Sequence, residues 1–129
     1  MNMSEAVTCD VRVQTESFFV PDQSDQRTGY YHFGYQIRIT NEGSEAARLI
    51  SRHWIITDAL GREEEVKGLG VVGEQPRLQP GGSFEYESSC PLYTRCGSMR
   101  GTYQMRRDDG TMFEVEIGEF ALYQPAVMN

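Results

Sequence analysis

The chain has 129 residues, which matches the usual size of one globular domain and leaves no room for a second. We therefore expect a single domain over residues 1–129. Its 19 acidic and 12 basic side chains give a net charge of −7, and this acidic balance argues against a protein that tracks nucleic-acid phosphates. Charged residues make up 24% of the chain, an ordinary value that excludes a disordered acidic tail.

Targeting signals and cysteine usage favour a cytoplasmic location. Residues 1–10 carry acidic side chains and lack an apolar run behind a basic start, so no secretory signal is predicted. Uninterrupted apolar runs such as 18–20 are far shorter than the ~18 residues that suggest a membrane span. Cys9, Cys90 and Cys96 are odd in number and lack CxxC spacing, so we expect reduced thiols and a fold that needs no metal.

Apolar and polar side chains alternate along most of the chain, between clusters of turn residues. The clearest run is 31–39, where aromatic and branched residues alternate with polar ones, as a half-buried strand requires. In chain order, the predicted strands cover residues 7–19, 30–41, 48–58, 63–67, 83–90, 99–107 and 112–123. Between the last two, Asp109-Gly110 predicts a hairpin with a type I′ turn.

One segment, 44–60, fits two patterns. A helical stripe would contain Ala46, Leu49, Ile50, His53, Trp54 and Thr57. The alternate residues Ile50, Trp54 and Ile56 fit one face of a strand equally well, although Arg52 interrupts that face. We favour the strand because the segment is rich in β-branched residues and ends in a hairpin-like loop at 58–61.

Seven short strands with glycine and proline turns predict an all-β fold, an antiparallel two-sheet sandwich of about seven strands. The inward-facing aromatic and branched side chains would fill the space between the sheets. The predicted core consists of Tyr35, Ile37, Trp54, Ile56, Phe84, Tyr86, Tyr103 and Phe113.

The segment 68–73 (GLGVVG) matches the GxGxxG pattern of dinucleotide-binding loops. That pattern works when the loop leads into a helix whose N-terminus faces the pyrophosphate. The following residues, 74–80, are too short and too rich in proline for such a helix, and four glutamates nearby would repel a polyphosphate. We interpret the segment as a glycine-rich connection, with an anion-binding nest as the alternative.

Other candidate sites give weaker signals. His32 and His53 lie on predicted polar strand faces without ligand spacing, so no metal site and no cofactor is predicted. The run 63–65 of three glutamates fits a solvated strand edge. No catalytic residues are identified, because no nucleophile signature is present. A basic patch, which keeps nucleic acid as a minor alternative, could form from Arg48, Arg52, Arg95, Arg100, Arg106 and Arg107.

Several stretches in one order together resemble the ApaG family. They are 51–58 (SRHWIITD), 68–76 (GLGVVGEQP), 78–81 (LQPG), 84–88 (FEYES), 91–92 (PL), Thr94 and 97–103 (GSMRGTY). The resemblance covers nearly the whole chain and implies a fibronectin type III-like sandwich. Bacterial members are small standalone domains linked by name and genetics to cobalt and magnesium efflux or resistance. Similar eukaryotic domains, appended to F-box and polymerase-interacting proteins, look like protein-interaction modules.

Two functions follow as hypotheses. The first is a non-enzymatic protein-interaction module that affects cobalt and magnesium homeostasis indirectly, through an unidentified protein partner. Its candidate partner-binding residues are Gly68, Leu69, Gly70, Val71, Val72, Gly73 and Pro76. The second is a nucleotide or pyrophosphate binder, or a hydrolase, that uses the same glycine loop. Whether the chain forms a homo-oligomer is left open by the sequence.

Overall fold

The computed structural model describes residues 1–125, which form nine strands and one short 3-10 helix, Pro21–Gln23. No helix among these residues has the length and hydrophobicity needed to cross a lipid bilayer. The strands are β1 (Met3–Thr8), β2 (Val11–Phe19), β3 (Tyr31–Asn41), β4 (Ala47–Asp58), β5 (Glu63–Leu69), β6 (Arg77–Leu78), β7 (Ser83–Leu92), β8 (Cys96–Arg107) and β9 (Met112–Tyr123).

The strands form two antiparallel sheets, which confirms the predicted sandwich. The first sheet has the order β1-β2-β3-β7. The second has the order β5-β4-β8-β9, and the two-residue β6 pairs with the beginning of β4. The ambiguous segment is therefore a strand, and it lies at the centre of the second sheet because its β-branched residues suit a pleated surface.

Side-chain alternation sends one face of each sheet into a shared core. Trp54 of the second sheet lies edge-on to Tyr35 of the first, with ring centroids 5.5 Å apart. Trp54 also contacts Phe120 at 5.9 Å and Tyr103 at 6.5 Å. These aromatic side chains occupy the middle of the core, where edge-to-face geometry is favoured.

The predicted core residues divide into two groups. Five of them, Tyr35, Ile37, Trp54, Tyr86 and Tyr103, are buried. The other three are only half-buried and pack against the rim of the core: Ile56, Phe84 and Phe113. The apolar alternation indicated the correct face in each case. Phe84 and Phe113 lie on the edge strands β7 and β9, whereas Ile39 and Met105, their paired neighbours on inner strands, are buried.

One border of the sandwich is joined by hydrogen bonds between the sheets. The Ala121 amide of β9 donates to the Met1 carbonyl at 2.7 Å, and the Ser4 hydroxyl of β1 donates to the Gly118 carbonyl at 2.8 Å. At the opposite border, β5 and β7 end the two sheets. A loop and a pocket lie at that second border.

Two turn predictions differ from the structure. The predicted strand 7–19 is split into β1 and β2 by a tight turn in which Cys9 and Asp10 have φ of 49° and 63°. Together with β6, this split gives nine strands where about seven were expected. The hairpin at Asp109-Gly110 exists, but the type I′ assignment is wrong because only Gly110 has positive φ. The Gly110 amide donates to the Arg107 carbonyl, so the loop has three residues and closes with a left-handed glycine.

Candidate functional site

Residues 68–76, which we call the glycine loop, comprise the end of β5 and its connection to β6, and they fold back as a tight hairpin. The Val71 and Glu74 amides donate to each other's carbonyl oxygens, both at 2.8 Å. The two residues between them, Val72 and Gly73, have φ of 44° and 80°. This pair of left-handed residues is typical of a type I′ turn. The GxGxxG pattern is therefore a β-turn, and the chain continues into β6 and not into a helix.

Hydrogen bonds fix the glycine loop to β4. A bulge between Leu49 and Ser51 frees the Ile50 carbonyl, which accepts from the Gly70 amide at 2.8 Å and from Gln75 Nε2 at 2.9 Å. From the same strand, Arg52 Nη1 donates to the carbonyls of Leu69 at 3.0 Å and Gly70 at 2.8 Å. The bulge is a feature that re-aims backbone groups, and here it supplies the loop with an anchor.

Two glycines of the loop have close neighbours, a movable side chain at Gly68 and the backbone at Gly70. At Gly68, a Cβ atom would lie 2.8 to 2.9 Å from the guanidinium atoms of Arg52, which crosses the strand at that point. At Gly70, where φ is +62°, a Cβ atom would collide with the Glu74 carbonyl oxygen. Gly73 has φ of +80° but open space around it. The spacing of these glycines therefore serves the hairpin and the Arg52 contact.

The predicted partner-binding residues differ in their exposure. Leu69 is 76% exposed and Val72 53% exposed, although both are apolar. Val71, between them, is buried in the core and fixes the loop to the sandwich. Gly70 is buried, while Gly68 and Pro76 are half-buried. The apolar surface that the loop offers to solvent thus consists of two side chains, Leu69 and Val72.

Beneath the glycine loop lies a pocket of about 260 Å³, which we call the Arg52 pocket. Its polar lining comes from Tyr35, Arg52, Tyr86 and Ser88, and the loop forms its rim. Sequence reasoning missed this pocket. The available signal was Arg52, a charged residue that interrupts the inward face of β4 between Ile50 and Trp54.

The tyrosine hydroxyls beside the pocket stay protonated at neutral pH. Tyr86 and Tyr103 share a 2.5 Å hydrogen bond between their hydroxyls. Burial raises the pKa of both, and the positive charge of Arg52 offsets only part of that effect. Burial also raises the pKa of Tyr35, against a smaller lowering by hydrogen bonding with Ser88. The floor of the pocket can therefore offer neutral O–H groups.

Of the two histidines singled out in the sequence, His53 pairs with one of the glutamates of the run 63–65, and His32 lies elsewhere on the sandwich. His53 is on the face opposite Trp54, with Nε2 3.1 Å from Glu65 Oε1. His32 Nδ1 lies 3.2 Å from the Tyr30 hydroxyl, near the far end of the sandwich. Across residues 1–125, no three His, Cys, Asp or Glu side chains are grouped in a way that could hold a metal ion. The three cysteines are free, Cys90 buried and the other two exposed.

The arginines do not form one patch. Arg48 lies directly opposite both Arg106 and Arg77 on the outer face of the second sheet. Arg100 instead pairs with Glu63 at 3.4 Å and Arg107 with Glu45 at 3.5 Å. Arg52 faces inward, toward the pocket. Arg95 lies in the turn between β7 and β8. Of the six predicted arginines, Arg48 and Arg106 therefore remain side by side, next to Arg77, which is bound to Asp108.

Comparisons with known proteins found a matching family model, similar sequences and a similar solved structure. Residues 21–107 match the model of the ApaG domain. Protein ApaG of Bdellovibrio bacteriovorus is 50% identical over 120 residues, covering 93% of this chain and 94% of that protein. Protein ApaG of Anaeromyxobacter dehalogenans is 51% identical over 127 residues, covering 98% of this chain and 100% of that protein. A crystal structure from Bordetella pertussis, of a protein called ApaA, has a TM-score of 0.88 and 53% identity, covering 92% of this chain and 96% of its own.

Proposed function

The chain belongs to the ApaG family, and we propose that it is a non-enzymatic protein-interaction module whose contact surface is the glycine loop. The partner is a protein. An effect on cobalt or magnesium homeostasis would pass through that partner, because residues 1–125 offer no grouped metal ligands of their own. We propose that both proteins act in the cytoplasm.

The observation that carries this proposal is the conformation of Val72. A β-branched residue with positive φ is a genuine outlier, and Val72 has φ of 44° at the tip of an exposed turn. Asn or Gly would fit the same turn without strain. The backbone conformation of Val72 therefore costs about 1 kcal/mol or more. It places an apolar side chain in solvent. Residues with such backbone strain cluster at ligand-binding and switch sites, which supports a contact role for Val72.

The rigidity of the loop supports the same function. Its backbone is held by the Val71–Glu74 hydrogen bonds, by the Ile50 carbonyl and by Arg52. A loop that is already ordered loses little conformational entropy when it binds, so more of the contact energy appears as affinity. Leu69 and Val72 can then act as small apolar anchors.

The nucleotide-binding alternative has less support. The amides of Gly70, Val71 and Glu74 donate to carbonyls within the protein, so they are not free to cradle a phosphate. The segment after the loop is the short strand β6, which lacks the positive end of a helix dipole. Titration with ATP and a dinucleoside polyphosphate, followed by backbone amide shifts, tests this alternative: saturable shifts centred on Gly70 would favour it over our proposal.

The proposal is tested by affinity capture from a lysate of the source cells, with and without divalent cations. We expect a partner that is retained by the wild type and lost with Leu69→Asn and with Val72→Asn. Val72→Asn should also be more stable than the wild type, so a loss of binding could not be attributed to unfolding.

The matched control is Leu60→Asn, because Leu60 is a similarly exposed apolar residue in the turn at the other end of β5. This variant should retain the partner. Equal capture by all three variants, or no specific capture by the wild type, would contradict a role of the loop in protein binding.

A further inference from the structure

We propose that the Arg52 pocket binds a single carboxylate group, presented by an acidic residue of the partner polypeptide. This inference rests on the proposed function and identifies the chemistry of the partner, since the glycine loop forms the rim of the pocket. Leu69 and Val72 would contact apolar atoms beside the carboxylate, while Arg52 would bind the carboxylate itself.

The first argument is the state of the Arg52 guanidinium. Both hydrogen bonds that Arg52 makes within residues 1–125 come from Nη1 and go to backbone carbonyls of the loop. Its Nε and Nη2 donors have no acceptor among those residues, and no carboxylate there lies within ion-pair distance of Arg52. Arginines elsewhere on the sandwich do pair with acids, as Arg62 does with Asp58 and Arg77 with Asp108. Neither donor is cut off from solvent, so both can be reached by an incoming anion.

The second argument is that the guanidinium is already oriented. It lies across Gly68, where even a methyl group would displace it, and the two carbonyls hold Nη1 in place. A planar guanidinium with two donors on one edge matches a carboxylate in bidentate geometry. Because the side chain is fixed before binding, little rotamer entropy is lost when the anion arrives.

The third argument is the composition of the pocket walls. Besides Arg52, the polar groups are the hydroxyls of Tyr35, Tyr86 and Ser88, and no acidic side chain of the described chain lines the pocket. Hydroxyls can donate to an oxyanion, and a volume of about 260 Å³ admits a side chain but not a nucleotide. The pocket therefore combines one positive charge with neutral donors.

Charge favours a carboxylate over a phosphate. The chain has a net charge of −7, Glu74 follows the loop turn directly, and Glu64 stands on β5 at the same border of the sandwich. These charges repel a dianion more strongly than a monoanion. A group with one negative charge thus fits the single arginine better than a phosphate monoester does.

The direct test is a titration of the isolated protein with sodium acetate, at ionic strength held constant with chloride. The readouts are the Nε–H resonance of Arg52 and the amide resonances of the glycine loop. We expect saturable shifts with acetate and weaker binding of inorganic phosphate. Arg52→Met should abolish saturation, and Tyr35→Phe should weaken acetate binding several-fold, because it removes one donor while keeping the ring in the core. Arg62→Met, at an exposed ion pair, is the control and should bind acetate as the wild type does.

Three results would overturn the carboxylate assignment: shifts that grow linearly with acetate, unchanged binding in Tyr35→Phe, or tighter binding of phosphate than of acetate. Tyr35→Phe keeps the test decisive if Arg52→Met fails to fold.

Failure of the proposed function is distinguished by the capture experiment. Acetate binding without partner capture would support the pocket and contradict the interaction module. Partner capture by a folded Arg52→Met protein that binds no acetate would support the module and contradict the carboxylate contact.

Discussion

At the scale of single residues, glycines with similar backbone angles have different functions. Gly70 and Gly73 both have positive φ, but only Gly70 faces a close backbone neighbour, the Glu74 carbonyl. The difference arises because Gly70 lies where the loop crosses back over itself, while Gly73 is at the exposed tip of the turn. A substitution at Gly73 therefore measures the cost of a left-handed backbone alone. A substitution at Gly70 measures that cost together with a steric clash.

Alanine substitutions at these two glycines should give unequal losses of stability. Gly73→Ala should lower the free energy of unfolding by about 1 kcal/mol, the cost of a Cβ in the left-handed region. Gly70→Ala carries the same cost and should lose about 1–3 kcal/mol more, because the added methyl group overpacks the turn. Urea denaturation of both variants measures the difference. Equal losses would show that the hairpin relaxes around Gly70 and that its close packing is unimportant.

The three cysteines should differ in reactivity, again for a local reason. Burial raises the pKa of the Cys90 thiol to about 12, whereas Cys9 and Cys96 are exposed. Because the thiolate is the reactive form, a disulfide reagent at about pH 8 should label Cys9 and Cys96 rapidly and Cys90 only after unfolding. Counting labelled thiols in native and urea-treated protein checks this. Rapid labelling of Cys90 in the native protein would contradict its burial.

At the scale of the elements, β4 contributes residues to both the core and the candidate site. Its inward face carries Trp54 into the centre of the sandwich, and two residues earlier the same face carries Arg52 to the pocket. The bulge at Ile50 then turns its carbonyl toward the glycine loop. One strand thus positions the hydrophobic centre, the charged group and the loop anchor, because alternation places residues 52 and 54 on the same side.

Trp54→Ala should cost about 3–5 kcal/mol, the usual loss for removing a large buried aromatic side chain. Trp54 is 2% exposed and its ring contacts aromatic residues from both sheets. Ile55→Ala, at the neighbouring half-buried position on the outer face, should cost much less and serves as the control. The free energies of unfolding of both variants, from urea denaturation, test the register of β4. A loss below about 1 kcal/mol for Trp54→Ala would contradict that register.

At the scale of the whole molecule, the two borders of the sandwich differ. The border with β1 and β9 is joined by hydrogen bonds such as Ser4 to Gly118. The border with β5 and β7 carries the glycine loop and the Arg52 pocket. The shared core holds the two sheets together, so the second border can contain a pocket without such hydrogen bonds. The asymmetry leaves room for a ligand without exposing the core.

The molecule as a whole should lose stability at alkaline pH. Burial raises the pKa of Tyr35, Tyr86 and Tyr103 above 10.0 and that of Cys90 above 9.0, so the folded state keeps protons that the unfolded state releases. This contribution is complete below pH 9.0 and is lost progressively as the pH rises above 9.0 to 10.0. Urea midpoints measured at about pH 8 and at about pH 11 should therefore fall with pH.

Tyrosine variants identify the source of this alkaline loss. Tyr86→Phe should make the decline in the urea midpoint shallower, because one buried ionisable hydroxyl is removed. Tyr93→Phe should leave the decline unchanged, since Tyr93 is exposed. An identical pH dependence in the wild type and in Tyr86→Phe would show that the buried hydroxyls do not control alkaline stability.

The sequence by itself determined the class of fold and the face of most strands. Alternation in 31–39 predicted the inward row of β3, because a strand with one buried face must repeat every two residues. The ordered stretches around Trp54, the glycine loop and Tyr103 indicated the ApaG family, which the comparisons confirm. These features lie within short stretches of sequence or in the order of those stretches along the chain. They can be recognised without knowing which distant residues are in contact.

Only the tertiary structure decided how the site is built. The GxGxxG pattern could not reveal that the Gly70 amide bonds to the Ile50 carbonyl, because that bond depends on the bulge in another strand. Nor could it show that Val71 is buried while Val72 is exposed. The Arg52 pocket brings together residues from three separate strands and the loop, and their proximity follows from sheet packing. Contacts between residues far apart in sequence leave no periodic signal, so they appear only when the two sheets are assembled.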